Sequence, residues 1–143
     1  MNDSIQDTII DDFSLMEEWD DKYAYIIELG KKIPAIADEH KVDSNIIRGC
    51  QSKVWMVSRL EGKQVFFEAD SDAMIVKGLV SLLLKTYSGR TPEEIISIEP
   101  YFIEKIGMRQ HLSMTRSNGL SSMVKNMKLH ALAYKSKLDS LSN

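Results

Sequence analysis

The sequence predicts an α+β fold, a small antiparallel sheet with helices packed on one face. Three observations predict it. Apolar residues recur at helical spacing in the first 30 positions and again from residue 75 to the C-terminal end. Between them, over residues 52–70, the period drops to two, the spacing of a half-buried strand. The length, 143 residues, suits one domain, 1–143, whose single core needs neither disulfide nor metal.

The elements follow in order. From Ser4 to Met16, the residues Ile5, Ile9, Phe13 and Met16 fall on one helical face, with Ser4 and Asp7 near the start where a cap belongs. A second amphipathic helix runs from Trp19 to Leu29, with Trp19, Tyr23, Ile26 and Ile27 on one side, and Gly30 then Pro34 punctuate its end. Residues 35–45 read as an irregular connection with room for one more helical turn. A hairpin follows, strands 52–60 and 64–70 about an "EGK" turn. Val54, Met56 and Leu60 alternate with Lys53, Trp55, Val57 and Arg59, and Val65, Phe67 and Ala69 repeat the pattern. Trp55 opposes the core set and so either covers the second face of the sheet or marks a contact surface. Ile46-Ile47 is a candidate edge strand.

"ADSDAMIVKGL", residues 69–79, ends the sheet. Asp70 or Ser71 can accept the free amide hydrogens of a first helical turn, and Asp72 suits its positive end. Ile75, Leu79, Leu83 and Tyr87 form one row and Val76, Val80 and Leu84 another, which predicts a central helix. Gly78 inside it costs about 1 kcal/mol against alanine, so a neighbouring backbone is expected close by. "GRTPEEII" starts a short helix with Thr91 as cap and Pro92 at the first helical position. Another short helical piece follows Pro100. A long helix closes the chain, with Leu120, Met123, Val124, Met127, Ala131, Tyr134 and Leu138 on one stripe.

Composition excludes several functions. The formal net charge of −3, with no Lys/Arg run longer than two, leaves no footprint for nucleic acid. The longest apolar run, residues 78–84, is too short to span a bilayer. The start, Met1-Asn2-Asp3-Ser4, is polar and acidic and does not read as a secretory signal. A single cysteine, Cys50, forms no internal disulfide, which suits a reducing cytoplasm.

That cysteine sits in "IIRGCQSKVW", residues 46–55. A lone cysteine is by default a small buried hydrophobe. Its neighbours argue for reactivity: Gly49 lets the backbone bend, Arg48 brings positive charge, and Gln51 and Ser52 are polar. A thiolate reacts and a thiol hardly does, so a working cysteine needs positive charge or backbone donors nearby. A Cys-His hydrolase would take His40, His111 or His130 as base, but no cysteine-hydrolase motif surrounds Cys50. There is no CxxC pair for disulfide exchange. Zinc would need Cys50 and all three histidines to converge, and an iron–sulfur cluster takes several thiolates. A thiol that accepts a group from one protein and hands it to another needs no second cysteine.

"GCQSKVW", "ADSDAMIVKGL" and "RQHLSMTRSNGL", in that order and spacing, resemble the SufE family of cysteine-desulfurase sulfur acceptors. "YAYIIELGKKIP" at 23–34 resembles the family's N-terminal helix, and the likeness covers about residues 13–130. The resemblance implies an α+β fold shared with the IscU-type scaffold. It implies that Cys50 receives sulfane sulfur from a desulfurase of the SufS type and that the persulfide passes to the SufBCD cluster-assembly complex. Pyridoxal phosphate then belongs to the desulfurase, and this chain needs no cofactor or metal. It is a transfer protein and activator more than a free-standing enzyme. The alternatives are a regulatory module that accepts no sulfur, or a sulfur supplier to another pathway. Arg116 matches the arginine of the family's "HLxPxR" block and could favour the Cys50 thiolate; Met114 stands where the family has proline. Around Cys50, Gly49 is the expected hinge, Gln51 and Ser52 the hydrogen-bonding pair, and Asp72 a shaper of the loop. His111 is either a supporting residue or a satisfied structural histidine. A persulfide carrier is also expected to shelter Cys50 when alone and expose it to its partner.

Overall fold

The computed structural model describes residues 3–50, 52–112 and 114–142. In chain order the elements are α1 (Ser4–Ser14), α2 (Trp19–Lys31), two 3-10 turns (Asp38–His40 and Asp43–Asn45), β1 (Val54–Glu61), β2 (Gln64–Ser71), α3 (Met74–Tyr87), α4 (Pro92–Ser97), α5 (Phe102–Lys105), α6 (Met108–His111) and α7 (Met114–Ser142). The architecture is the expected α+β arrangement.

β1 and β2 form an antiparallel hairpin in which Val54 faces Ser71, Met56 faces Ala69 and Leu60 faces Val65. Because side chains alternate, Val54, Met56, Val65, Phe67 and Ala69 share one face, and all five are buried. α3 packs against β2 on this side, and α7 reaches the same face through Ser58, whose Oγ lies 2.7 Å from His130 Nδ1 and 3.0 Å from the Tyr134 hydroxyl. The opposite face holds Trp55, Val57, Arg59, Phe66 and Glu68, none of them buried. The edge strand expected at Ile46-Ile47 shrinks to one bridge between Ile46 and Trp55, with Ile47 N–H donating to the Val54 carbonyl at 2.8 Å. Ile46 is extended, but the second 3-10 turn, Asp43–Asn45, ends immediately before it.

α3 is the centre of the molecule, buried on every side from Gly78 to Leu83. Gly78 is where α2 crosses it: a methyl there would collide with the Ile26 carbonyl oxygen. Gly30 is the matching half of this contact, since a methyl on it would stand 2.7 Å from the Gly78 nitrogen. Gly30 therefore does not end α2, which continues to Lys31; it is a packing glycine inside the helix. α4 starts as read, with Thr91 and Glu94 exchanging a reciprocal capping box behind Pro92.

Two capping expectations are corrected. The N-cap of α1 is Asp3, whose carboxylate accepts from Ile5 N–H, with neither Ser4 nor Asp7 in that place. Asp3 also takes both Arg90 Nη2 contacts at 2.7 and 2.9 Å, which tie the start of α1 to the connection between α3 and α4. Asp70 and Ser71 do not cap α3, because both are still in β2 and the N-cap is Ala73, with no side-chain cap bond. The Asp70 carboxylate is buried and engaged instead by Lys77 at 3.3 Å and Lys41 at 3.5 Å. The same carboxylate accepts from Ser71 N–H at 2.8 Å, so one local amide and two cations hold it in β2, away from the first turn of α3.

Candidate functional site

Cys50 follows Gly49, whose φ of +93° lies in the left-handed region. A residue with a Cβ is strained there, so glycine is what lets the chain turn the cysteine inward just before β1. A methyl on Gly49 would also stand 2.5 Å from Ser122 Oγ of α7. At the far end of the loop, the Asp72 carboxylate accepts from Lys53 N–H at 3.1 Å while Asp72 N–H donates to the Lys53 carbonyl at 3.3 Å. This exchange closes the hairpin one step beyond Val54 and anchors the loop's exit. Asp72 shapes the base of the loop and does not line the thiol's surroundings.

The thiol is half-buried and sits beside a cavity of about 300 Å³ between α3, α7 and the start of β1. The walls are apolar: Val54, Val76, Leu79, Val80, Leu120 and Met123. Cys50, Ser52, Gly119 and the exposed Arg116 complete the lining. Cys50 Sγ donates to the Gly119 carbonyl at 3.7 Å. Burial pushes the Cys50 thiol up from its ordinary pKa. Arg116, one of the two cations expected beside the thiol, lines the same cavity.

The structure brings Cys50, Gly49, Ser52 and Arg116 together. Gln51 lies outside the described residues. His111 is elsewhere: its ring stacks on Trp19 at 3.9 Å and its carbonyl accepts from the Tyr23 hydroxyl at 2.6 Å, which is the part of a structural histidine joining α6 to α2. Met114 is the first residue of α7, the position where proline is well tolerated because its missing N–H would be unsatisfied anyway. Among the described residues no three His, Cys, Asp or Glu side chains are grouped as metal ligands. Gly119 and Ser122 were not singled out from the sequence. The signal for Gly119 was a glycine inside a helical stripe, the same signal that marked Gly78.

The profile of the SufE family, described as an Fe-S metabolism associated domain, matches residues 7–131. The chain belongs to the SufE family. An uncharacterised SufE-like protein of Rhizobium etli is 46% identical over 130 residues, covering 87% of this chain and 88% of that protein. A second, from Rhizobium meliloti, is 43% identical over 130 residues, 87% of this chain and 93% of the relative. The solution structure of a hypothetical protein from Thermus thermophilus has a TM-score of 0.78 over 95% of this chain and 99% of that one, at 17% identity, a likeness of fold alone. Membership of the SufE family places the chain in iron–sulfur metabolism. No helix among the described residues is long and apolar enough to cross a membrane.

Proposed function

We propose that this SufE-family protein is a sulfur carrier for a cysteine desulfurase, with Cys50 as the acceptor. The observation that carries the reading is the setting of Cys50: one thiol, held by a left-handed glycine, half-buried beside an apolar cavity. The cavity of about 300 Å³ has ample room for one more sulfur, since even a water's share of liquid volume is only about 30 Å³. In the transfer, the Cys50 thiolate attacks the terminal sulfur of the desulfurase cysteine persulfide. The S–S bond of the donor breaks, a new one forms at Cys50, and the desulfurase cysteine leaves as thiolate. No net oxidation occurs, and the proton lost by Cys50 balances the one the leaving thiolate regains.

The thiol is half-buried and burial favours its protonated form, so in-line transfer calls for a second, more exposed loop position to which the desulfurase binds. The desulfurase, of the SufS type, supplies the pyridoxal phosphate, and the acceptor downstream is the SufBCD complex. Sheltering suits the product as well, because a persulfide kept from bulk water escapes stray reductants. Cys50→Ser should keep the fold, as the change is small and lies on a loop, and should abolish stimulation of the desulfurase by this chain. Full stimulation by the folded variant would overturn the acceptor role and leave a regulatory module in its place.

A further inference from the structure

Gly119 lies inside α7, and its φ is not in the left-handed region, so no feature of its own backbone calls for glycine. Glycine in a helix interior is also less stable than alanine. The reason for it lies outside the helix. A methyl on Gly119 would stand 3.3 Å from Cys50 Sγ, 3.6 Å from its Cα and 3.7 Å from its Cβ. All three nearest atoms belong to the cysteine. One helical turn on, Ser122 Oγ occupies the space beside Gly49. α7 thus offers a notch that fits the cysteine loop at two successive residues.

We propose that Gly119 is a positioning residue for Cys50: the notch left by its missing side chain seats the cysteine loop in the sheltered position, and filling the notch drives the loop toward the exposed one. The inner, apolar side of the seat favours a protonated sulfur. The Gly119 carbonyl accepts an S–H and offers a thiolate nothing. Among the described residues the α3 wall presents only Val76, Leu79 and Val80, and β1 only Val54; the polar side chains lining the site are Ser52 of the loop and Arg116 of α7. Release of the loop and ionisation of the thiol are therefore linked, and each favours the other. Only the consequence for transfer rests on the sulfur-carrier reading; the seating itself does not.

The test is the rate at which iodoacetamide modifies Cys50 in the purified full chain, measured from neutral pH to about pH 10 for the parent, Gly119→Ala and Gly119→Leu. The rate at neutral pH should rise from parent to Ala to Leu, by about tenfold for Leu, the ratio that 1.4 kcal/mol of bias produces. The midpoint of the pH profile should fall toward that of an ordinary thiol. A merely helical role predicts the opposite pattern, a higher melting temperature with an unchanged profile, because Ala and Leu are both better helix formers than Gly. Unchanged or slower modification in folded variants overturns the proposal. If Leu prevents folding, Ala decides, since its methyl asks the loop to yield by only a few tenths of an ångström. Failure of the parent to load sulfur from a desulfurase would sink the carrier reading and leave the alkylation result standing.

Discussion

At Cys50 two demands on one side chain meet, shelter and reactivity, and burial settles the balance in favour of shelter. Its thiol pKa is raised by burial, so the sheltered position is fully favoured below the ordinary thiol pKa. It loses that advantage as pH rises through the raised value. Alkylation of the isolated protein should therefore follow a pH profile displaced upward from that of a free cysteine peptide. A profile that coincides with the peptide's would show that the thiol is not sheltered in solution. Cys50 and Gly49 were legible in the sequence because a bend and a polar neighbourhood are local features. Gly119 was not, because its reason for being glycine lies 69 residues away. The place of Arg116 was legible too, since it lines the cavity beside the thiol.

Elements whose pattern is strong were readable, and their partners were not. α3 announced a close neighbour through Gly78, yet nothing local says that the neighbour is α2 or that Gly30 is its counterpart. Gly78→Ala gains up to about 1 kcal/mol of helix propensity but meets the Ile26 backbone carbonyl, and overpacking of this kind costs about 1–3 kcal/mol. A net loss in urea-derived stability is expected, and a more stable variant would mean the α2–α3 crossing is looser than described. Asp70 shows the limit of local reasoning in another way. A carboxylate before a helix reads as a cap, but the fold brings Lys41 and Lys77 to it. Asp70→Asn should cost about 1.5–3 kcal/mol, the scale of a hydrogen bond to a charged group, and should do so without shortening α3. The same variant at parental stability would show that both lysines are satisfied by water.

Across the whole molecule, two of the joins between distant segments are polar and acid-sensitive. Asp3 ties the N-terminus to Arg90, and Asp70 ties β2 to α3 and to the segment before the cysteine loop. Burial raises both carboxyl pKa values, and stronger opposing contacts bring them below the usual carboxylate range: Arg90, Gln6 and Ile5 N–H for Asp3, and Ser71 N–H with Lys77 and Lys41 for Asp70. Their contribution is complete above the unfolded pKa of about 3.9 and is lost as pH falls through the lowered folded values. The urea midpoint should hold steady from neutrality to about pH 5 and drop below pH 4, less steeply in Asp70→Asn; an identical acid response in the variant would remove Asp70 from this account. The central claim, that Cys50 carries sulfur, is tested most directly by the intact mass of the chain after incubation with a SufS-type desulfurase and cysteine. The account predicts a gain of one sulfur that is reversed by reductant, maps to Cys50 and is absent in Cys50→Ser. Stimulation of the desulfurase with no gain of mass at Cys50 would contradict it.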